Sequence, residues 1–235
     1  GWDLWCALNR VFFLKNQQHR FDIVHALETR PATIIPTRYI SRKMNIPWVT
    51  DWIDWWGRGG LISEQRPGWY RLFFGGLETY FEEHYRNKAD GLTVISRALG
   101  DRAEGLGVDP EKISWIPGGA SPEIFPEIDK EAARAKNGLP LQGELLLFAG
   151  IDVLFDVKIV LESLQLIRKE RPGARLVVTG APPETVRDLA IAAGLEPEAV
   201  IATGRLPRSA YHEHLLASDL CLLPFSDTPS NRGRW

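Results

Sequence analysis

Short runs of nearly continuous apolar residues recur along the chain, separated by longer segments in which apolar positions return every three or four residues. In the first half the runs are FDIVHAL from Phe21, IPWVT from Ile46 and GLTVIS from Gly91. DPEKISWIPGGAS, from Asp109, reads as a further short strand leading into a Gly-Gly turn. Residues 1–19 and Gly68–Lys88 read as helices, the second rich in aromatic and acidic residues. Ser96 stands at the end of GLTVIS, where it suits the N-cap of the next helix. Strand and helix alternate, which predicts a parallel sheet.

The pattern breaks between Ser121 and Gly143, where Pro122, Pro126 and Pro140 punctuate a stretch without strand character, with residues 123–143 as its body. This is read as a linker between an N-terminal domain, residues 1–122, and a C-terminal domain, residues 144–235. The strand pattern resumes with LLLFAG from Leu145. Val157, Val160, Leu161, Leu164 and Ile167 then share one helical face. ARLVVTG from Ala174, VIATG from Val200 and DLCLLPF from Asp219 are further strands, with a helix over Val186, Leu189, Ala190 and Ala193 between the first two. Strands this uniformly apolar need cover on both faces, so the fold class expected is α/β with two doubly wound parallel-sheet domains.

Composition narrows the function without choosing it. With 235 residues, 44% hydrophobic and 25% charged, the chain has room for two globular domains. A net charge of -2 gives no drive towards nucleic acid, which is not expected as a partner. Cys6 and Cys221 lack metal-ligand spacing and read as small core residues in a reducing, cytoplasmic setting. No apolar run approaches the roughly 20 residues that span a bilayer, and the opening GWDLWCALNR lacks the form of a signal peptide. The chain begins without Met inside an amphipathic segment and ends at Trp235 without a cap, so both sheets are expected to be incomplete.

In open parallel sheets ligands meet the carboxyl ends of the strands. Gly150, Gly180 and Gly204 end the first three strands of the second half, and Pro224 ends the fourth before a polar loop. Each glycine alone is equally well a strand terminator, but as a set they mark a crevice. Neither G-x-G-x-x-G after an opening strand nor G-x-x-x-x-G-K-[ST] occurs, so dehydrogenase and P-loop chemistry are not supported.

In the first half, TDWIDWWGRGGL from Thr50 places Asp51, Trp52, Asp54, Arg58 and Gly59 in one strand-end loop. Such a loop suits carbohydrate, since ring faces stack on sugars and carboxylates accept from hydroxyls; it suits equally a packing cluster with capping Asp. Asp51 and Asp54 are the candidate catalytic residues, placed to bind an acceptor hydroxyl, and Arg58 fits an anionic part of a ligand. His25, at the end of FDIVHAL, either lines the site or is a satisfied core residue. His84, His212 and His214 read as surface groups beside charged neighbours. Core packing is expected for most of Trp69, Phe73, Phe74, Tyr80 and Phe81, with an aromatic and basic edge as a candidate contact to a membrane surface carrying a lipid acceptor.

The order KADGLTVISRALGDRAEGLGVDPEKISWIPGGAS, a strand ending in Gly, RPGARLVVTG, and VIATGRLPRSAYHEHLLASDLCLLPF resembles family 4 glycosyltransferases of the GT-B fold. The resemblance covers most of the chain. It implies two Rossmann-like domains facing a cleft and sugar transfer from a UDP- or GDP-sugar to a carbohydrate or lipid-linked acceptor. It also implies retention of configuration, no metal, and no cofactor beyond the nucleotide-sugar co-substrate. By the same resemblance Gly204, Arg205 and Leu206 would lie beside the nucleobase, and Asn231, Arg232, Gly233 and Arg234 would approach the sugar and diphosphate. Arg232 and Arg234 suit that role because a guanidinium offers paired donors to phosphate oxygens; the bland alternative is a solvated basic loop.

Two departures from the family pattern stand out. Ile151 replaces the usual Arg after the first Gly, and Phe155 or Asp156 falls near the usual Lys, with Lys158 displaced into a helical register. The loop after the second strand lacks the family's His; Asp51, Trp52 or Asp54 lies near its place. These departures keep two rivals in view: a nucleotide-sugar binding module without transfer activity, and a GT-B sugar epimerase.

Overall fold

The computed structural model of the chain describes residues 3–150 and 157–234. They divide into two compact units. One runs to Gly119 and is rejoined by the segment from Asp227; the other is Ala120–Ser226.

In chain order the first unit holds α1 (Leu4–Lys15), β1 (Val24–Ala26), α2 (Pro31–Met44), β2 (Trp48–Trp52), α3 (Leu61–Gln65), α4 (Gly68–Asn87), β3 (Gly91–Val94), α5 (Arg97–Gly105) and β4 (Ile113–Trp115). The four strands form a parallel sheet in the order β1-β2-β3-β4. Successive side chains alternate between faces. Trp48, Thr50 and Trp52 therefore share a buried face, where Ala26, Ile34, Trp48 and Ala89 pack as one cluster and Trp52, Leu92, Val94, Leu99 and Ala103 as another. The opposite face carries His25 and Val49, paired across β1 and β2, and Asp51 and Thr93, paired across β2 and β3. Ser96 caps α5 as expected, its Oγ accepting the Leu99 N–H at 3.2 Å.

The second unit holds α6 (Lys130–Lys136), β5 (Leu145–Ala149), α7 (Val157–Glu170), β6 (Arg175–Thr179), α8 (Pro183–Ala192), β7 (Val200–Gly204), α9 (Arg208–Ala217) and β8 (Leu220–Leu222). Its parallel sheet has the order β7-β6-β5-β8. Leu146, Phe148, Leu176 and Val178 face α7 and α8, while Leu145, Leu147 and Val177 face α6 and α9. Both faces are covered, which is why these strands contain no polar alternation. The sheet is doubly wound, as the apolar runs predicted.

The two units share a device that aligns strands. Asp90, just before β3, accepts the Trp48 N–H through its carboxylate at 3.0 Å and donates its own N–H to the Trp48 carbonyl at 3.0 Å. Asp219, just before β8, repeats both bonds with Leu145, each at 2.8 Å. Each Asp thus holds the start of the neighbouring strand.

Several sequence expectations are corrected here. The stretch read as a linker contains α6, whose Ala133 and Arg134 are buried in the second unit. Arg134 donates to the Ala217 carbonyl at 2.9 Å and to Asp219 at 2.7 Å, so the helix is tied into the core by charge rather than by a long apolar face. His212 and His214 are buried, because each ring directs Nδ1 to a backbone carbonyl, of Ile124 at 3.1 Å and Ala210 at 2.7 Å. Cys6 is half-buried and Cys221 exposed, the latter because β8 is an edge strand among the described residues, with Leu220 61% exposed. The closing segment, expected in the C-terminal domain, groups with the first unit and carries α10 (Pro229–Arg232).

Burial pushes the Asp219 carboxyl up, but hydrogen bonds from Lys130 and the Leu145 N–H and the Arg134 charge more than offset this, leaving it below its ordinary value of 3.8. A lowered carboxyl contributes stability that is present above pH 3.8 and lost as pH falls through the folded value. Asp219→Asn should therefore cost about 2 kcal/mol at neutral pH. The deficit should shrink in urea melts run progressively below the usual aspartate range.

Candidate functional site

β1 and β2 end beside each other, and their exposed face brings His25 and Asp51 together. Nε2 of His25 lies 2.5 Å from Oδ1 of Asp51. The carboxylate can only accept, so the ring nitrogen is the donor. Thr93, on β3, donates its hydroxyl to the same Asp51 oxygen. His25 is no satisfied core residue: its side chain is 46% exposed, against 14% for Asp51. The result is a polar row across three parallel strands, with the outermost ring open to solvent.

Trp52 points the other way and is buried, so it presents no ring to a sugar. Its Nε1–H is shared between the Asp54 carbonyl and Glu82 Oε1, each at 3.1 Å. Glu82, on α4, is the centre of this region. Besides Trp52 it accepts the Trp56 N–H at 2.8 Å and the Gly57 N–H. A Cβ at position 57 would press on the Glu82 carboxylate, which would have to shift from the backbone N–H groups it accepts from. Burial raises the Glu82 carboxyl above its ordinary value against the pull of Arg86.

Arg86 lies one turn further along α4 and is buried against the Trp52 ring, 4.4 Å from its centroid. It donates to Thr29 Oγ1 at 2.7 Å, to the Glu82 carbonyl and to the Asp51 carbonyl at 3.3 Å, while its Nε has no partner. Burial lowers its pKa to about 10, leaving it charged at neutral pH. Arg102 packs over Trp55 at 4.2 Å and donates to the Arg58 carbonyl at 3.1 Å and to Glu83 at 2.7 Å. A cavity of about 130 Å³ opens beside this framework, lined among others by Glu28, Arg30, Asp51, Asp54 and Arg86. Its carboxylates and guanidinium groups suit a small polyhydroxylated ligand better than an apolar one.

Arg58 itself is solvated, its side chain 79% exposed and 4.0 Å from Glu83, and Gly59 adopts a left-handed φ of 79°. Asp54 pairs with Arg234 at 3.0 Å. Gly233 accepts from Ser96 Oγ at 2.8 Å, and Ser230 bonds to Glu64 through its N–H at 3.1 Å and its hydroxyl. Asn231 is buried. Arg232 makes a bidentate pair with Asp227 at 2.8 and 3.0 Å, which raises the Arg232 pKa and lowers that of Asp227. The four residues expected at the donor are therefore assembled within the first unit, with both guanidinium groups on carboxylates.

In the second unit the three predicted glycines do converge. Gly150, Gly180 and Gly204 take left-handed φ values of 81°, 87° and 70° at the ends of β5, β6 and β7. The Gly150 N–H donates to the Thr179 carbonyl at 2.6 Å and the Gly180 N–H to the Gly204 carbonyl at 2.7 Å. Three adjacent strand ends thus present bare backbone, the arrangement that lets a ligand approach closely. Arg205 is exposed and Leu206 half-buried beside them. Ile151, Asp152, Phe155 and Asp156 lie outside the described residues; Lys158 is on α7, 3.6 Å from Glu162. Among the described residues no cluster of three or more His, Cys, Asp or Glu is placed to hold a metal ion.

Sequence reasoning missed Glu82, Arg86, Thr93 and Arg102. Glu82 and Arg86 were visible only as an acid and a base at helical i, i+4 spacing, a pattern shared by many solvated helices.

The fold and these strand-end sites define a class. The chain belongs to the glycosyl transferase 4-like domain family, whose model matches residues 2–119. Its fold is that of the GT-B glycosyltransferases. It is 35% identical over 96 residues to D-inositol 3-phosphate glycosyltransferase of Segniliparus rotundus, a match covering 40% of this chain and 20% of that protein. Among solved structures it is similar to sucrose-phosphate synthase from Thermosynechococcus elongatus, with a TM-score of 0.67, 16% identity, and 93% of this chain and 54% of that one covered. HepE of Anabaena, solved in complex with UDP, gives a TM-score of 0.63 at 16% identity, covering 92% of this chain and 55% of that one. The chain thus spans about half the length of these two structures.

Removing the Glu82 carboxylate leaves Arg86 buried without its nearest counter-charge. Glu82→Ala should lower stability by about 3 kcal/mol, read by urea melts. The near-UV circular dichroism of the Trp52 and Trp56 environment should change with it.

Proposed function

We propose that this chain is the nucleotide-sugar and acceptor-binding part of a glycosyltransferase that moves a sugar from a UDP- or GDP-sugar to a hydroxyl of a carbohydrate or polyol acceptor, with retention and without a metal. The observation that carries the reading is the row of left-handed glycines at the ends of β5, β6 and β7. It supports a donor approaching bare backbone at Gly150, Gly180 and Gly204, with Arg205 and Leu206 beside the base.

The acceptor side rests on the His25, Asp51 and Thr93 row. In transfer the bond from the anomeric carbon to the diphosphate oxygen breaks, the acceptor oxygen bonds to that carbon, and the hydroxyl proton leaves with the diphosphate. Asp51, held by His25 and Thr93, would accept from the acceptor hydroxyl and fix its direction, the kind of positioning whose loss costs on the order of 100-fold in rate. Arg30 and Arg86 beside the cavity suit an acceptor that carries a phosphate, in keeping with the inositol phosphate named for the Segniliparus relative. Asp54 serves the acceptor side with its partner Arg234.

The chain would be incubated with UDP- and GDP-sugars labelled in the sugar, with and without inositol phosphate, and both nucleotide release and labelled product measured. Product formation that falls about 100-fold in Asp51→Asn, with the donor KM unchanged, is the expected result. Donor binding without turnover under any of these conditions would instead assign a binding module, the reading favoured by Ile151 at the family's Arg position. Failure to bind any nucleotide-sugar would sink both.

A further inference from the structure

α4 was expected to bury most of its aromatic residues, and it does not. Trp69, Leu72, Phe73, Leu77 and Tyr80 recur at helical spacing along one side, and the first three are 62%, 78% and 72% exposed. Gly75, Glu78, Glu82 and Arg86, buried, fall on the opposite side. The helix is therefore amphipathic in an inverted sense: Glu78 and Glu82 face inward while Trp69, Phe73 and Tyr80 face water, and Phe81 and Tyr85 further along pack against the core.

The charges around this stripe are one-sided. Between Arg66 and Glu82 the only other acid is Glu78, which is buried and accepts the Tyr70 hydroxyl at 2.6 Å. Arg66 and Arg71 are exposed at its amino-terminal end. Along its flank runs an open groove of about 850 Å³, lined by Arg58, Arg71, His84 and Lys88, with Glu83 as its one carboxylate. Glu83 is held by Arg102 at 2.7 Å.

We propose that this face of α4 docks on the surface of an anionic phospholipid bilayer. The Trp69, Leu72, Phe73 and Leu77 side chains enter the headgroup and acyl boundary, and Arg66 and Arg71 meet lipid phosphates. Trp and Tyr suit that boundary because each joins an apolar ring to a polar atom, and a guanidinium pairs with phosphate oxygens in a fixed fork. No helix among the described residues is long and apolar enough to cross a membrane, so the contact lies in the plane of the interface. The proposal does not depend on glycosyl transfer, since binding is read without any sugar present.

The test is co-sedimentation of the chain with phosphatidylcholine vesicles, with and without phosphatidylglycerol, alongside light scattering of the protein alone. Binding should strengthen on the order of 10- to 30-fold on anionic vesicles, the effect of two basic residues at the surface, and weaken with salt. Leu72→Glu/Phe73→Glu should abolish binding to both vesicles with its melting temperature and far-ultraviolet circular dichroism kept. Arg66→Gln/Arg71→Gln, which leaves the rings in place, should remove only the preference for anionic lipid. Equal sedimentation of parent and Leu72→Glu/Phe73→Glu overturns the proposal, as does no sedimentation of the parent on either vesicle. A dimer in light scattering that the same substitution dissolves, with vesicle binding absent, assigns the face to a second copy.

Discussion

The buried carboxylate of Glu82 is the group on which the strand-end loop of the first unit depends. Taking a carboxylate out of water costs several kcal/mol, and it stays charged only where donors and a counter-charge replace the water. Here the donors are the indole of Trp52 and the N–H groups of Trp56 and Gly57, with Arg86 one turn away. Bonds to a charged acceptor contribute about 1.5–3 kcal/mol each and offset part of the burial, which still leaves the carboxyl raised above its ordinary value. The same bonds fix three points of the chain between Trp52 and Gly57, and so the direction in which Asp54 leaves the strand. A loop of Trp, Gly and Asp that would otherwise be mobile is thereby attached to a 20-residue helix.

A second constraint sets the strand ends themselves. Asp90 and Asp219 hold the starts of β2 and β5 by paired bonds of the same pattern. In a parallel sheet the position of a strand's start decides which residues reach its carboxyl edge. The clamp at Trp48 is consistent with the register that places Asp51 opposite Thr93, and the clamp at Leu145 with the one that places Phe148 opposite Leu222 on β8. Chemistry at one end of each sheet is thus referred to a polar anchor at the other.

This division explains what could be read from the sequence. Strand positions and the glycines were legible because burial on both faces leaves uninterrupted apolar runs, and because a left-handed turn at a strand end favours Gly. Ser96 was legible as a cap because its role is local. The orientation of TDWIDWWG was not, since alternation along β2 sends Asp51 and Trp52 to opposite faces, and nothing in the loop says which face is covered. His212 was misread for a related reason: a charged neighbourhood in sequence says nothing about a backbone carbonyl 88 residues away in the chain that satisfies the ring. The segment after Asp227 was placed by chain order, whereas its bonds to Glu64, Ser96 and Asp54 are all long-range.

α4 joins the two kinds of reading, because its amphipathicity is inverted. Hydrophobic patterning normally points a helix's rings inward, and a sequence reading follows that rule. Here the inward side carries Glu82 beside Phe81 and Tyr85, because Trp52, Trp56 and Gly57 present N–H groups that need an acceptor an apolar side chain could not supply. Once Gly75, Glu78, Glu82 and Arg86 are committed to the interior, the period of the helix leaves Trp69, Leu72, Phe73 and Leu77 no direction but outward. The exposed aromatic stripe is therefore a geometric consequence of holding the loop from within. Moving the rings inward would require giving up the carboxylate that positions Asp54.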